Sequence, residues 1–347
     1  MLIEIPRAPL DELAAFFLRI KEERLENGPC RHQVQHALAR ELLELRNVGD
    51  SLLAPTTTLD QILIVGRKEV LHSSAFADDI AVRQLKILRE LRVEAWMVEA
   101  CFKFTLLNRL APEWNRVGVA LIQGSEFLGD SGRLKLRRLL VEVHCTTSGQ
   151  MYLKLPPDLC KMFPLEPWQL GKPVQPRWCF MLPKLSRGEV IDVREDLPAD
   201  SQFADYDELR QYWMDSYGYS LPPAAPPVYF DVVFYGLRNE VFTYPSYCVL
   251  TAEPAVYPSD EETRKRIVHD FAEQLAAKIP SVCGQPMLID TVLDHPPPLP
   301  LPLRTPLAQR NPLLKHQRPI INHMPIQKRP PVDHDNEPKA KRKPRVF

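Results

Sequence analysis

The chain has 347 residues and no formal net charge, with 45% hydrophobic and 25% charged residues, enough to bury one large core or two modest ones. An α-helical membrane span needs about 18 uncharged apolar residues, and the most apolar run, 96–107, is interrupted by Glu99 and Lys103, so no span is expected. The opening "MLIEIPRAPLDEL" has no basic region followed by an apolar core and does not read as a secretory signal.

Residues 2–6 read as a short strand. A helix is expected over 10–26, with Leu10, Leu13, Phe17 and Ile20 on one face and "NGP" at 27–29 as its stop. A second helix is expected over 31–46, where Val34, Leu38 and Leu45 form the apolar stripe. A buried strand over 61–65 and a helical segment over 78–91 follow. Between 117 and 155 the runs "VGVALIQ", "LKLRRLLVEVHC" and "QMYLKL", separated by "GDSG" and "TTSG", predict a three-stranded antiparallel meander. Residues 156–176 hold six prolines and no apolar period, which reads as a linker or irregular crossing.

"WCFML" and "EVIDV" read as strands. A helix over 205–217 starts on Asp205 and Glu208 in capping-box spacing and stops at Gly218. "VYFDVVFYG" and "NEVFTYP" predict a hairpin. The last helix, 259–278, has Ser259 and Glu262 as a capping box and Ile267, Phe271 and Leu275 on its buried side. No repeat recurs at any period of about 20–50 residues. Mixed elements in this order predict an α+β fold with mostly antiparallel sheets rather than a doubly wound parallel sheet. The expected division is a lobe at 1–155, the linker at 156–176, a second lobe at 177–292 and a disordered proline-rich basic tail at 293–347.

The zero net charge conceals an asymmetry: 304–347 carries 11 Lys/Arg against 3 Asp/Glu, while the rest carries 33 against 41. A basic arm on an acidic body seeks acidic partners such as nucleic acid, import receptors or acidic proteins. Thirteen prolines fall in 296–347, and such a segment buries too little apolar surface to offset its ordering entropy. Seven cysteines, Cys30, Cys101, Cys145, Cys160, Cys179, Cys248 and Cys283, include no C-x-x-C pair. They read as reduced, mostly buried thiols without a disulfide framework or zinc site.

Gly129-Asp130-Ser131-Gly132 matches the tetrapeptide around the nucleophile of trypsin-like proteases. A nucleophilic serine also needs a base, an orienting carboxylate and an oxyanion hole. The upstream histidines, His32, His36 and His72, lack a suitable setting, so the tetrapeptide is read as a hairpin turn. His32 and His36 stand four apart, as metal ligands do on a helix, but the glutamate of H-E-x-x-H is absent, and the pair reads as a solvated face. Arg133, Lys135 and Arg137 alternate with leucines, making them candidate phosphate contacts or a charged edge strand. Pro226-Pro227-Val228-Tyr229 fits the P-P-x-Y ligand of WW domains, but Tyr229 opens an expected strand that would hide it. The P-x-x-P at Pro297 and Pro300 has Arg304 one residue out of register for an SH3 ligand. No glycine-rich phosphate loop is present. Lys328 and Arg329, then eleven residues, then Lys341, Arg342 and Lys343 match a bipartite nuclear import signal.

The words "LAPEWNRVGVALIQGSEFL", "WCFMLP", "YDELRQYWMDSYGYSLP", "FTYP" and "KIPSVCGQP", spread over about 110–286, resemble the vertebrate chromosome 18 open reading frame 63 family, which carries a domain of unknown function. That resemblance implies no activity and no catalytic residues. Together these readings predict a non-enzymatic nuclear adaptor or scaffold that binds an unidentified protein partner and, through its tail, an import receptor. No cofactor, metal, membrane or small-molecule substrate is expected. The alternative is a nucleic-acid binder using the tail and the Arg133, Lys135 and Arg137 face, with a divergent hydrolase ranked last and a cytoplasmic location as the other address.

Overall fold

The first strand, β1 (Leu2–Ile5), lies where the sequence places it. The computed structural model describes residues 1–26, 31–128, 135–171, 173, 176–198, 201, 203–235, 240–289 and 292–293. After β1 the chain departs from expectation. Instead of one helix over 10–26 there is a strand, β2 (Leu13–Ile20), and then the short α1 (Glu22–Glu26). With β3 (Leu52–Pro55), β4 (Gln61–Arg67) and β5 (Leu85–Leu91), β2 makes an antiparallel sheet in the order β3-β4-β2-β5.

Alternate residues of this sheet serve two cores. Ala14, Phe16 and Leu18, with Leu53, Ile62 and Ile64, face one cluster; Leu13, Ala15 and Phe17, with Leu52, Leu63 and Val65, face another. A strand buried on both faces is a continuous apolar run, and in so short a run helical and strand periods coincide. That is why "LAAFFLRI" reads as a helix and folds as a strand.

Helix α2 (Arg31–Leu43) and α4 (Ser74–Val82), joined to β4 through α3 (Lys68–Leu71), supply the first cluster, and α5 (Ala95–Arg109) supplies the second. The helix expected over 78–91 therefore divides. Ser73 caps α4 by accepting from the Phe76 amide, and the chain reverses through Gln84, at φ +56, into β5. No helix among the described residues is long and apolar enough to cross a membrane.

The expected meander is a bent hairpin shared between two sheets. Strands β6 (Trp114–Val117), β7 (Ala120–Gln123) and β8 (Leu136–Leu140) are followed by β9 (Glu142–Cys145), β10 (Met151–Lys154) and β11 (Pro157–Lys161). The pairs Leu136↔Cys160, Leu139↔Pro157, Glu142↔Lys154 and Cys145↔Met151 keep a single register along the whole hairpin. At its bend the amide of Leu155 turns away to the carbonyl of Met1. Half of the hairpin thus joins β1, whose other edge carries β20 (Val292–Leu293). The other half joins β6 and β7, with β17 (Ala255–Tyr257) on the β11 edge. Residues 157–161, in the stretch expected to link two lobes, are consequently a sheet strand. Turn residues mark the two ends of the hairpin, but nothing local in the sequence marks a bend in its middle.

The remaining five-stranded sheet follows the sequence reading closely. Strands β12 (Arg177–Met181), β13 (Ser186–Arg194), β14 (Tyr229–Phe234), β15 (Phe242–Pro245) and β16 (Val249–Leu250) run in the order β15-β14-β13-β12-β16. Helix α6 (Tyr206–Tyr217) covers its inner face with Leu209 and Trp213. Its N-cap is Asp205, accepting from the Glu208 amide at 2.9 Å, and Gly218 closes it in the left-handed region at φ +65, both as expected. Helix α7 (Glu261–Lys278) is capped by Asp260, not Ser259, because Asp260 Oδ1 accepts from the Thr263 amide at 2.8 Å. Ile267, Phe271 and Leu275 are fully buried, and α7 packs over the sheet that holds β6, β8 and β11. A two-stranded ribbon, β18 (Ser281–Val282) and β19 (Gln285–Pro286), follows α7. The fold is α+β, with mostly antiparallel sheets, as the order of elements predicts. The six described cysteines are free thiols, five of them buried.

Candidate functional site

The expected sites fall into three groups. Ser131 with its flanking residues, Arg133, the P-x-x-P at Pro297 and Pro300, and Lys328, Arg329, Lys341, Arg342 and Lys343 lie outside the described residues. Lys135 is exposed beside β8, but Arg137 is engaged: its Nη1 donates to Asp270 of α7 and, at 3.0 Å, to Gln123 Oε1. Its charge is met inside the protein, which removes it from a free phosphate-binding face. Tyr229 is buried in β14, so the P-P-x-Y sequence is not presented to a ligand.

His32 and His36 do not form the solvated face expected of them. Their rings stack at 4.2 Å, and the His36 ring also meets Phe104 of α5 edge-on at 5.7 Å. Burial first, and then the charges of His32, Arg40, Lys184 and Arg116, hold the His36 imidazole down at about 3. A histidine whose folded pKa lies below its unfolded value of 6.5 loses stability as pH falls, since the unfolded chain takes the proton first. Between pH 6 and pH 4 unfolding free energy is therefore expected to fall by up to about 1 kcal/mol per pH unit more in the wild type than in His36→Gln. Urea titrations at four pH values check this, and parallel slopes for the two proteins would contradict it. Among the described residues no group of three or more His, Cys, Asp or Glu is placed to hold a metal ion.

The surface that sequence reading missed is the outer face of β12, β13 and β14. Cys179, Met181, Gly188, Val190 and Val232 point inward and are buried. A Cβ on Gly188 would lie 2.6 Å from Val232 Cγ1, so glycine lets β13 and β14 close up on the core side. The alternating residues must then point outward. Register sets them in two rows: Trp178 beside Glu189 beside Val233, and Phe180 beside Arg187, with Tyr235 one position beyond the Gly188↔Phe234 pair. Trp178 is 41% exposed and Tyr235 79% exposed. The Arg187 guanidinium lies 4.9 Å from the Trp178 ring centre, a cation–π pair at the surface.

A family model described as Domain of unknown function (DUF4708) matches residues 2–167 and 168–258. The chain belongs to that family. The two matched stretches adjoin within the segment after β11, and the second of them contains the whole aromatic face of this DUF4708 chain. Among solved structures, Clostridium butyricum Argonaute bound to a guide DNA and a 19-mer target DNA is 12% identical, with a TM-score of 0.37 over 79% of this chain and 41% of that one. Argonaute of A. aeolicus is 11% identical, with a TM-score of 0.36 over 80% of this chain and 42% of that one. The DUF4708 chain spans about two fifths of either structure. Likeness at that level carries no argument about its ligand.

Proposed function

We propose that the chain is a non-enzymatic protein-interaction module of the nucleus whose partner docks on the outer face of β12, β13 and β14. The observation that carries this reading is the exposed Trp178–Arg187 pair, with Val233 and the exposed Tyr235 beside it in register, on a sheet whose other face is core. Soluble proteins leave few such aromatic surfaces open unless something binds them. Trp, Tyr and Arg are also the residues that dominate binding energy at protein interfaces. Within the family, the quoted words favour a place beside the vertebrate chromosome 18 open reading frame 63 proteins. The basic tail supplies the import signal and hence the nuclear address.

Nucleic acid is the competing ligand, and the face first expected to hold it is weakened by the Arg137–Asp270 pair. Trp178→Ala separates the readings. Stability should change by no more than about 1 kcal/mol, the scale of an exposed cation–π contact. Capture of the partner that the wild type enriches in nuclear proximity labelling should fall at least about tenfold. Unchanged capture would refute the docking face, while steeply salt-dependent oligonucleotide binding lost in the same variant would move the ligand from protein to nucleic acid.

A further inference from the structure

A cleft opens where α1, α2 and the turn between α4 and β5 face α6. Its volume is about 590 Å³, within the range of roughly 300–1,000 Å³ usual for small-molecule sites. The two stretches matched by the family model meet across it, since α6 lies in the second and the other elements lie in the first. Ligand sites are found preferentially at such seams.

The walls are fixed from several sides. Arg24 of α1 donates through Nη2 to Glu41 of α2 and through Nη1 to the Arg83 carbonyl, both at 3.1 Å. Arg83 is itself paired with Glu41 at 2.9 Å, so one carboxylate joins α1, α2 and the end of α4. Across the cleft Gln33 Nε2 donates to Tyr212 Oη at 2.5 Å, which ties α2 to α6. The turn is pinned as well: the Gln84 amide donates to the Ala81 carbonyl and the Gln84 carbonyl accepts from the Lys21 amide. Gln84 stands at φ +56, a conformation that a glutamine rarely adopts and that persists because these bonds enforce it.

The lining has an apolar side and a polar side. Val34, Ala37 and Leu38 follow one another on one face of α2, and Val82 stands opposite α1 at 79% exposure. The Arg24 charge is met by Glu41, and Glu23 adds a carboxylate that disfavours an anion. Two polar groups are left over. The Ser216 hydroxyl, in a residue only 8% exposed, and the Gln84 side-chain amide make no hydrogen bond among the described residues. A buried hydroxyl without a partner is costly, and an amide offers a donor and an acceptor side by side. Apolar surface suits a flat ring, and a glutamine amide matches the N6 amine and N7 of adenine in two hydrogen bonds. We propose that this cleft binds a neutral adenine nucleoside, with the ring against Val34, Ala37 and Leu38, its amine edge on Gln84 and a sugar hydroxyl on Ser216. The site is separate from the docking face and would stand if that face proved wrong.

Isothermal titration of the full chain with adenosine tests it. One saturable site per chain is expected, weakened at least about tenfold for 7-deazaadenosine, which lacks N7, and for Gln84→Gly, which removes the amide where φ suits glycine. Ser216→Ala should weaken binding by about threefold or more. Arg187→Glu on the aromatic face should change nothing, and AMP should bind no more tightly than adenosine. Thermal melting of each variant verifies that it folds. No saturable adenosine binding at millimolar concentration, equal affinity for 7-deazaadenosine, or binding that Gln84→Gly leaves intact would overturn the proposal. AMP binding tighter than adenosine by about tenfold would overturn it too, because the ligand would then be an anion.

Discussion

Replacing Phe271 with Ala is expected to lower the unfolding free energy by about 3–5 kcal/mol, the usual cost of removing a buried aromatic ring from a packed core. Phe271 is fully buried in the middle of α7, and its ring meets that of Trp114 edge-on at 5.4 Å. Trp114, also fully buried, is held in turn through its Nε1–H, which donates to Gln274 one turn further along α7. Deleting the Phe271 ring therefore opens a cavity between α7 and β6, and Trp114 loses its aromatic neighbour. Phe271→Leu keeps most of the volume and should cost clearly less. Urea unfolding followed by tryptophan fluorescence reads both variants. A loss below about 1 kcal/mol for Phe271→Ala would mean that α7 is not packed as described.

Nuclear accumulation is expected to disappear when Lys341, Arg342 and Lys343 are all replaced by Ala, and to weaken when only Lys328 and Arg329 are. The two clusters stand eleven residues apart, so once one engages a receptor the other binds at high effective concentration. Acidic pockets on the receptor pair with the extended basic side chains. A fluorescent fusion too large for passive diffusion, carrying 320–347, should concentrate in nuclei. If it stays cytoplasmic, or if the chain lacking all five charges still concentrates there, the nuclear address fails.

Legibility from the sequence follows how local the determining interactions are. Helices α6 and α7 have a cap, an amphipathic stripe and, for α6, a left-handed glycine within the segment itself, and both are readable to within a few residues. For α7 the neighbouring acid, Asp260, takes the cap from Ser259, a choice between adjacent oxygens that spacing alone does not make. Strand β2 fails because its two-sided burial comes from helices that the segment does not encode. The switch of sheets within the β8–β11 hairpin fails for a related reason, since it depends on β1 capturing one half of the pair.

The candidate surfaces show the same contrast. "WCFML" reads correctly as a strand, but which of its residues face outward depends on which sheet face α6 covers. Trp178 and Arg187 meet only after β12 and β13 pair. The spacing of His32, His36 and Arg40 is visible in the sequence. Phe104 arrives from α5, and only the fold turns an apparent solvated stripe into a stacked pair of half-buried rings.

The most direct test of the docking face is photo-crosslinking in nuclei from position 235, where the aromatic ring is 79% exposed. A benzophenone amino acid replacing Tyr235 should give discrete protein adducts that resist nuclease and vanish when Arg187→Glu is added. The same probe at Val82, equally open at 79% exposure but on α4 against the first sheet, should not give them. Adducts identical from both positions, or adducts at 235 that disappear on nuclease treatment, would contradict a protein partner on β12, β13 and β14.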